Sequence, residues 1–502
     1  MMLVGSRRAR SENRKKGWGR NNLGVNMFSK QALHKIEEYL WEIPKNYRPD
    51  MRVPARFYTD ERMLEDTLKD RSLEQLVNTS TLPGIYKYAL AMPDIHEGFG
   101  VPIGGVFATD IENDGIISPG AVGYDINCGI RLLTTEVTFD EAKTKIEDLA
   151  RAIYATVPAG LGRGGGMKLS DQELNEVMTK GTGWAVANGY GTNDDLEMIE
   201  ENGCMAGANP SHVSQHASSR GRDQLGTVGS GNHFAEIQRV EEIYDENIAK
   251  TFGLFPNQIT ILVHTGSRGF GHQVASDYIH LMQKAMTKYE IKIPDRELAC
   301  APFQSDEGQA YFQAHGCAIN YAFANRQIIV SLIRKVWQRF FSDTPETLYE
   351  VAHNIAKIES YDGKKLLIHR KGATRAFGAD RPEVPEKYRA IGQPVIIPGS
   401  MGTASFVSIG TKKAESESFG STSHGAGRVM SRGEAKRSIT GQELFRQLKE
   451  QGVLALCRSP RGLLEEAPAA YKDIDRVVNV VHKAGISLKI AKLKPLGVIK
   501  GG

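Results

Sequence analysis

The sequence predicts an α+β protein, built as a single large intertwined domain with mixed sheets and surrounding helices. Short apolar runs broken by Gly and Pro, typical of strands and tight turns, alternate with segments whose apolar residues recur three and four apart. No internal repeat and no change of composition after residue 25 marks a linker. The 502 residues are 40% hydrophobic and 24% charged, which provides for a large core and excludes disordered, collagen-like and coiled-coil proteins.

The first 24 residues differ from the rest because they carry a run of Lys and Arg with little apolar content. Such an arm either lies on phosphate or is simply solvated, and the sequence leaves both alternatives open. We therefore expect a basic, flexible arm at 1–24 and a globular domain at 25–502. The arm lacks the apolar region of a secretory signal, and no apolar run reaches the roughly 18 to 20 residues that span a membrane, so a cytoplasmic protein is expected.

Helices and strands are expected in turn along the N-terminal half. Residues 31–43 have helical spacing and precede Pro44, a helix stop signal, whereas 77–110 predict strands and tight loops. A helix is predicted over 139–157 with Asp140 available as its N-cap, and helical structure continues to about residue 215.

A glycine-rich segment, 160–166, interrupts that helical stretch. It lacks the spacing of a dinucleotide-binding loop and is interpreted as a flexible loop. Strands and loops return over 226–275, and amphipathic helices follow at 274–291 and 323–341. From residue 364 to the C-terminus, strands and loops are expected again.

The cysteines and charges exclude several functions. Five cysteines occur without C-x-x-C spacing, so neither a disulfide framework nor a zinc ribbon is indicated. A net charge of +4 is too small to indicate a polyanionic partner by itself. The sequence contains neither the G-x-x-x-x-G-K-[ST] loop of P-loop NTPases nor the K-x-D-G lysine motif of common nucleotidyl-transferring ligases.

Several histidines and one cysteine lie in glycine-rich loops, where their side chains can converge. Asp125 and Cys128 stand three apart in GYDINCG, which is either a tight turn with a buried cysteine or part of a metal site. In GSGNHFAEI, His233 and Glu236 share a face if the segment is helical and point to opposite faces if it is a strand. Candidate ligands of N, S and O type for two metal ions sharing the thiolate are Asp125, Cys128, His233, His264 and His353.

Residues 421–432, STSHGAGRVMSR, place His424 among small residues with two arginines behind it. A histidine surrounded by Gly and backbone N–H groups, next to arginines, is suited to attack a phosphoryl group whose charge those groups neutralise. It can equally be an ordinary loop histidine. Arg268, in the segment VHTGSRGFGH, is predicted to lie in a flexible loop, either holding phosphate or forming a surface ion pair.

Taken together, nine sequence blocks in order resemble the RtcB family of RNA-splicing ligases from about residue 50 to the end: MPDIHEG, GYDINCG, GSGNHFAEI, HTGSRGFGH, HNIAK, HRKGATRAF, PGSMGT, SHGAGRVMSR and VIKG. The resemblance implies a GTP- and Mn(II)-dependent enzyme that joins an RNA 3′-phosphate or 2′,3′-cyclic phosphate to a 5′-hydroxyl, in tRNA splicing or RNA repair. It also implies that 25–502 is the catalytic domain. The basic arm departs from the family pattern, and the resemblance assigns it no role.

The resemblance assigns roles to individual residues. His424 becomes the nucleophile that takes GMP from GTP, before an RNA 3′-phosphate accepts it and a 5′-hydroxyl displaces it. The five candidate ligands would hold two Mn(II) ions, although a thiolate with imidazoles by itself favours the softer zinc ion. Implied contacts to the guanylate are Asn232, His233, Phe234, Ala235, Glu236, His353, Asn354, Pro398, Gly399, Ser400, Met401, Ser405, His424, Gly425, Ala426, Gly427, Tyr471 and Lys500.

RNA phosphates are expected to bind basic side chains around the same site. The candidate phosphate contacts are Arg220, Arg268, Lys371, Arg428 and Arg432. Beside them, Tyr471 either stacks on guanine or is a core tyrosine.

The resemblance also implies a partner, the small activating protein archease, and no membrane partner is expected. The alternative function is a metal-dependent RNA phosphodiesterase or cyclic-phosphate hydrolase that transfers no nucleotide.

Overall fold

The structure is a computed structural model that describes residues 28–160 and 167–501. The basic arm at 1–24 and residues 161–166 of the glycine-rich segment lie outside the described residues. Within them, two large sheets are combined with helices of very different lengths, which confirms the predicted α+β class. None of the described helices has the length and apolar character needed to cross a membrane.

The strands range from two residues to fourteen. In chain order they are β1 (His34–Lys35), β2 (Leu40–Ile43), β3 (Ala55–Tyr58), β4 (Ile85–His96), β5 (Ile103–Asp110), β6 (Ile116–Ile117), β7 (Gly129–Thr138), β8 (Phe234–Ile243), β9 (Gln258–Thr265), β10 (Ala301–Pro302), β11 (Glu346–Ala352), β12 (Asn354–Tyr361), β13 (Lys364–Lys371), β14 (Ala373–Arg375), β15 (Pro394–Ile397), β16 (Ser405–Gly410), β17 (Ser421–Ser423), β18 (Leu454–Cys457) and β19 (Ser487–Lys500).

The helices pack around and between the sheets. In chain order they are α1 (Glu61–Thr67), α2 (Ser72–Thr79), α3 (Phe139–Ala142), α4 (Ile146–Thr156), α5 (Asp171–Lys180), α6 (Thr182–Ala187), α7 (Asn193–Glu197), α8 (Gln215–Gly221), α9 (Glu246–Thr251), α10 (Arg268–Lys288), α11 (Asp306–Trp337), α12 (Glu386–Arg389), α13 (Lys412–Ser418), α14 (Arg432–Ser438), α15 (Gly441–Glu450), α16 (Pro460–Leu464) and α17 (Ile474–Lys483).

Two sheets form the framework. The first has the strand order β1-β2-β3-β4-β5-β13-β12, and the second has the order β11-β7-β9-β8-β19-β16-β15 with β18 beside β19. Most described pairs are antiparallel, whereas β3–β4 and β18–β19 are parallel. The chain passes from the second sheet to the first between β11 and β12, where His353 alone separates the two strands. That residue therefore lies where the two sheets meet.

Helix α11 is the long central helix. Ser305 caps its N-terminus by accepting a hydrogen bond from the Gly308 N–H. Most of its side chains from Tyr311 to Trp337 are buried, including the polar Asn325 and Arg326. A helix that is apolar on nearly all sides belongs inside a large protein, and buried polar groups in it require hydrogen-bond partners.

The expectation of a helix over 31–43 is wrong. Only a 3₁₀ turn at Lys30–Ala32 is helical there, and β1 and β2 follow it. Strand β2 pairs with β3 and buries Trp41 and Ile43, which alternate along the strand. Cross-strand pairing thus overrides an apolar spacing that also fits a helix.

The expectation of strands and loops through the C-terminal part is also wrong between 412 and 483. Helices α13 to α17 occupy most of that region. In α15, Leu444 and Leu448 are buried four residues apart, while Arg446 binds Glu443 and Glu450 on the exposed side. The many charges are therefore the solvent faces of amphipathic helices.

The helices expected at 139–157, 274–291 and 323–341 are present as α3 with α4, α10 and the second half of α11. The cap of α3 differs from the expectation, because Thr138 rather than Asp140 is the N-cap. Thr138 and Glu141 form a capping box. The strands expected over 77–110 and 226–275 are β4, β5, β8 and β9, although α2 extends into the first of these ranges.

Candidate metal and nucleotide site

Antiparallel pairing brings four predicted ligands to one edge of the second sheet. Cys128 directly precedes β7, His233 directly precedes β8, His264 lies near the end of β9 and His353 follows β11. The starts of β7 and β8 pair with the end of β9, and the start of β7 also pairs with the end of β11. The register of four adjacent strands therefore assembles side chains that are far apart in sequence.

The five predicted ligands form two groups that share Cys128. The Cys128 Sγ atom lies 3.3 Å from His233 Nε2 and 3.2 Å from His264 Nε2. His264 Nε2 lies 3.3 Å from His353 Nε2, and His233 Nε2 lies 2.7 Å from Asp125 Oδ2. One group is thus the thiol with His264 and His353, and the other is the thiol with Asp125 and His233.

Burial controls the protonation of this cluster. Burial raises the pKa of the Cys128 thiol well above its usual value, and the neighbouring Asp125 carboxylate raises it further. Burial lowers the pKa of His264 and His353, so both imidazoles are neutral and keep a lone pair. Burial alone would raise the pKa of Asp125, but the contact with His233 and the nearby Arg268 bring it below its usual value.

This donor set fits a metal centre. Neutral imidazoles, a carboxylate and a cysteine are ligands, and a nearby cation is what converts a buried thiol to the thiolate. The two groups that share Cys128 would hold two ions. The softness of the thiolate favours zinc, so the donor atoms alone do not select Mn(II).

His424 lies next to this cluster, with its ring centroid 5.0 Å from that of His353. Its Nδ1 atom is 2.6 Å from Oδ2 of Asp94, a carboxylate that is 0% exposed. The same oxygen accepts the backbone N–H groups of His424 and Gly425. Because an ionised carboxylate only accepts hydrogen bonds, this contact holds the proton on Nδ1 and leaves the lone pair on Nε2.

A cavity opens beside His424, and most of the predicted guanylate contacts line it. Phe234 and Lys500, paired across β8 and β19, form part of its wall. Ala235, Glu236 and Ser405 are buried next to these strands and do not line the cavity itself, whereas His233, His353 and Asn354 line the neighbouring cleft described below. The predicted contacts that line the cavity are Asn232, Phe234, Pro398, Gly399, Ser400, Met401, His424, Gly425, Ala426, Gly427, Tyr471 and Lys500.

Glu236 belongs to strand β8, so it lies on the same face as Phe234, whereas His233 lies on the opposite side. Burial raises the pKa of the Glu236 carboxyl to about 8. One of its oxygens accepts a hydrogen bond from Gln238, and the other, Oε1, has no partner among the described residues. A buried carboxyl with a free oxygen next to a cavity is a candidate for recognising a ligand.

The far end of the cavity holds a buried charged network that the sequence did not reveal. The hydroxyl of Tyr471 donates to the carboxylate of Glu466, and Arg428 Nη1 donates to the Tyr471 oxygen at 2.9 Å. The Arg428 guanidinium also lies 4.9 Å from the centre of the Tyr471 ring. Tyr471 is therefore a cavity residue, and its stacking on guanine stays a prediction.

The candidate phosphate contacts differ in how free their donors are. Lys371 Nζ donates to three backbone carbonyls, of Phe99, Val101 and Gly120, which uses all three ammonium hydrogens. Arg428 is engaged in the cavity network. Arg268 is the first residue of α10 rather than part of a flexible loop, and its φ is 55°.

A second cleft, of about 660 Å³, borders the candidate metal ligands. Of the candidate phosphate contacts, the arginines Arg220, Arg268 and Arg432 line it. Arg220 donates to Gln273 at 3.1 Å, and Arg268 Nε donates to Thr227 at 3.1 Å. These bonds use one donor of each guanidinium, which carries five. The same cleft reaches His424 and four of the candidate metal ligands, which are Asp125, Cys128, His233 and His353.

Two acidic residues of the site were missed by sequence reasoning. Asp94 belongs to the block MPDIHEG, which carried part of the resemblance but no role, and its partner His424 lies 330 positions away. Glu466 lies in a segment without any motif. Local pattern contains no signal for such long-range contacts.

Comparison with known proteins agrees with this geometry. Residues 75–501 match the family described as tRNA-splicing ligase RtcB. Proteins named tRNA-splicing ligase RtcB are 52% identical over 478 residues in Thermococcus kodakarensis and 50% identical over 478 residues in Archaeoglobus fulgidus. Each alignment covers 93% of this chain and 99% of the relative. The chain therefore belongs to the RtcB family of RNA ligases.

Proposed function

We propose that the protein is a GTP-dependent RNA ligase that joins 3′-phosphate or 2′,3′-cyclic phosphate ends to 5′-hydroxyl ends through a histidine–GMP intermediate. The observation that carries this proposal is the position of His424. Its Nδ1 atom is fixed by Asp94, and its Nε2 atom makes no hydrogen bond among the described residues. The ring lines both the cavity and the cleft, so one nitrogen can serve both halves of the reaction.

In the first step, Nε2 of His424 attacks the α-phosphorus of GTP, and the bond to pyrophosphate breaks. The positive charge that develops on the imidazole is stabilised by the buried Asp94 carboxylate. An oxygen of the RNA 3′-phosphate then attacks the same phosphorus, which breaks the N–P bond and gives an RNA–ppG end. Attack of the 5′-hydroxyl on the RNA phosphorus finally releases GMP. A cyclic phosphate end is first hydrolysed to the 3′-phosphate.

Two transfers are chemically necessary because a phosphate monoester has no good leaving group until GMP is attached to it. The residues that would hold Mn(II) are the two groups sharing Cys128, and bound ions would supply Lewis-acid stabilisation of phosphate charge. Glu236 is suited to select guanine, because its free oxygen can accept from the N–H groups of that base, whereas adenine offers a different pattern.

Labelling with GTP tests the nucleophile directly. The protein is incubated with Mn(II) and GTP labelled at the α-phosphate, with labelled ATP in parallel. We expect an acid-labile, alkali-stable adduct from GTP that His424→Ala abolishes and that His482→Ala, a substitution of a partly buried histidine on α17, retains. A wild type that binds metal and forms no adduct contradicts the ligase and favours the alternative, a cyclic-phosphate hydrolase, which needs no nucleotide.

The relatives are named as tRNA-splicing ligases, and we propose tRNA halves and broken RNAs with the same ends as the substrates. Phosphate contacts carry no sequence information, so the chemistry of the ends defines the substrate class. Archease, implied by the family resemblance, is proposed as an activator. Its effect is measured as an increase in joined product per enzyme when purified archease is added.

A further inference from the structure

Three aromatic rings line one wall of the cleft that contains the arginines. Tyr124 and His272 are stacked, with ring centroids 4.9 Å apart and planes inclined by 25°. Phe99 meets the Tyr124 ring edge-on at 5.5 Å. We name Phe99, Tyr124 and His272 the aromatic platform.

The rings of the aromatic platform are only partly buried. Phe99 and Tyr124 are half-buried and His272 is exposed, although all three line the cleft. The Tyr124 hydroxyl makes no hydrogen bond among the described residues. Flat rings that stay accessible next to a reaction centre offer a surface on which a planar ligand can stack.

The backbone fixes the aromatic platform relative to the reacting groups. Tyr124 directly precedes Asp125, whose carbonyl accepts a hydrogen bond from the Asn354 side chain at 3.1 Å. His272 lies in the first turns of α10, four residues after Arg268. The platform thus lies beside the metal cluster on one side and beside a cleft arginine on the other.

Arginines and aromatic rings together match one class of ligand. Proteins bind single-stranded nucleic acid by stacking bases on aromatic side chains while basic groups follow the phosphates. Arg220, Arg268 and Arg432 supply the cations, and they line the same cleft as the platform. The cavity proposed for GTP is lined by none of the three platform residues, so GTP leaves the platform free.

We propose that Tyr124 and His272 form a stacking site for the base of the RNA nucleotide next to a reacting end. The inference rests on the proposed function for the identity of the ligand as RNA. Stacking does not distinguish the bases by hydrogen bonds, so all four are accepted. The terminal nucleotide carries a base in a strand that ends in a 3′-phosphate and in a strand that ends in a 5′-hydroxyl. The experiment below determines which of the two strands places its base on the platform.

A binding cycle between protein variants and abasic RNA tests the proposal. Short fluorescent RNAs ending in a 3′-phosphate or in a 5′-hydroxyl are titrated with metal-loaded protein, each with and without the base on the terminal nucleotide. For one of the two ends, removal of the base should weaken binding to the wild type roughly fivefold to a hundredfold. In Tyr124→Ala and His272→Ala this difference should largely vanish, whereas Tyr124→Phe, which keeps the ring, should preserve it.

Tyr47→Ala, which removes an exposed tyrosine that stacks on Phe28, serves as the control and should behave as the wild type. Metal content is measured for each variant, because Tyr124 directly precedes the candidate ligand Asp125 in the sequence. His272→Ala tests the platform at a position that does not adjoin a candidate ligand in the sequence. Equal base dependence in wild type, Tyr124→Ala and His272→Ala for both ends would overturn the proposal. Because the cycle needs no catalysis, failure of GTP labelling with an intact base effect would reject only the proposed function.

Discussion

Asp94 contacts His424 through a single carboxylate oxygen. That oxygen accepts from the ring Nδ1 and from two backbone N–H groups of the loop that carries the histidine. The other oxygen is buried without a partner among the described residues. These hydrogen bonds therefore fix both the position and the tautomer of His424.

We predict that Asp94→Asn slows guanylylation by about two to four orders of magnitude, because an amide can donate to Nδ1 and move the proton to Nε2. The variant keeps the size of the side chain, so binding of GTP should change little. Single-turnover labelling measures the rate, and calorimetry measures the affinity. Labelling at the wild-type rate would show that the tautomer is not set by Asp94.

Gly266 gives a way to disturb one half of the metal cluster. Its backbone is ordinary, but a Cβ there would lie 2.4 Å from Oδ1 of Asp125. Gly266→Ala should displace this carboxylate and reduce the metal content from two ions to one per chain. Gly183→Ala, where a Cβ meets nothing within 4 Å, is the control. Elemental analysis after dialysis decides, and two retained ions in Gly266→Ala would contradict the assignment of Asp125.

The raised pKa of Glu236 predicts a pH dependence of nucleotide binding. If the Glu236 carboxylate accepts hydrogen bonds from guanine, GMP binds the ionised form of this residue. With a pKa of about 8, that form predominates only at a higher pH. The dissociation constant should therefore be constant above pH 8 and rise by up to about tenfold per pH unit below it. Calorimetry between pH 6 and 8.5 measures this, and Glu236→Gln should remove the dependence. A flat profile for the wild type would exclude Glu236 from base recognition.

At the level of single residues, the members of the candidate site were accessible from sequence because each lies in a short block of Gly and polar residues. Asp94 and Glu466 were not accessible, because their importance depends on partners distant in sequence. Lys371 shows the reverse: a lysine in a recognised block turns all its donors toward backbone carbonyls. A motif identifies a position, whereas the fold determines what the side chain touches.

Among the elements, α11 binds the backbone next to the candidate metal ligands. Arg326 donates from Nη1 to the carbonyls of Asn127 and Thr265, at 2.7 Å and 2.8 Å, and forms a buried ion pair with Glu350. Asn325, the preceding residue, bonds to Thr227 and to the carbonyl of Gly266. Two consecutive residues thus tie the loops that lead to Cys128, His233 and His264 to one rigid helix.

We predict that Arg326→Met lowers the free energy of unfolding by about 3–5 kcal/mol, because Glu350 keeps only Arg131 of its two buried arginine partners and two backbone carbonyls lose this donor. It should also weaken metal binding, since two ligand loops lose their common anchor. Denaturant unfolding and metal titration measure the two effects. Lys335→Met, at an exposed position of the same helix, should match the wild type. Unchanged metal affinity in a folded Arg326→Met would show that α11 only stabilises the fold.

Helix α10, the second half of α11 and the apolar strands were predictable because burial imposes clear patterns on them. The segment 31–43 was not, because its apolar spacing fits both a helix and a strand, and only pairing with β3 decides. The helices after residue 412 were obscured by their charges. Elements on the surface thus carry the weaker signal in this chain.

For the whole molecule, the position of His353 means that one candidate metal ligand also joins the two sheets. Removal of the metal should therefore destabilise both sheets together rather than loosen one loop. We predict that chelation lowers the melting temperature and increases hydrogen exchange in β7 and β9 of the second sheet and in β12 and β13 of the first. Restoring the ion should reverse both changes. An effect confined to β7 and β9 would mean that the two sheets are energetically independent.

The α+β class was predictable from the alternation of patterns, whereas the order of strands was not. Neighbouring strands such as β8 and β19 lie far apart along the chain, and sequence periodicity carries no information on such pairing. The expected boundary between the basic arm and a single domain at residue 25 stays a prediction, because the described residues begin at 28.

The crossover at His353 also sets an order of events in time. The ligands span positions 125 to 353, a separation of 228 residues, and they meet only when four strands have found their register. Contacts between such distant segments form late in folding, because long loops must close first. The complete set of donors therefore exists only after the sheets have paired, and a chain that folds incorrectly does not present it. We predict that metal loads only onto chains that have completed this pairing.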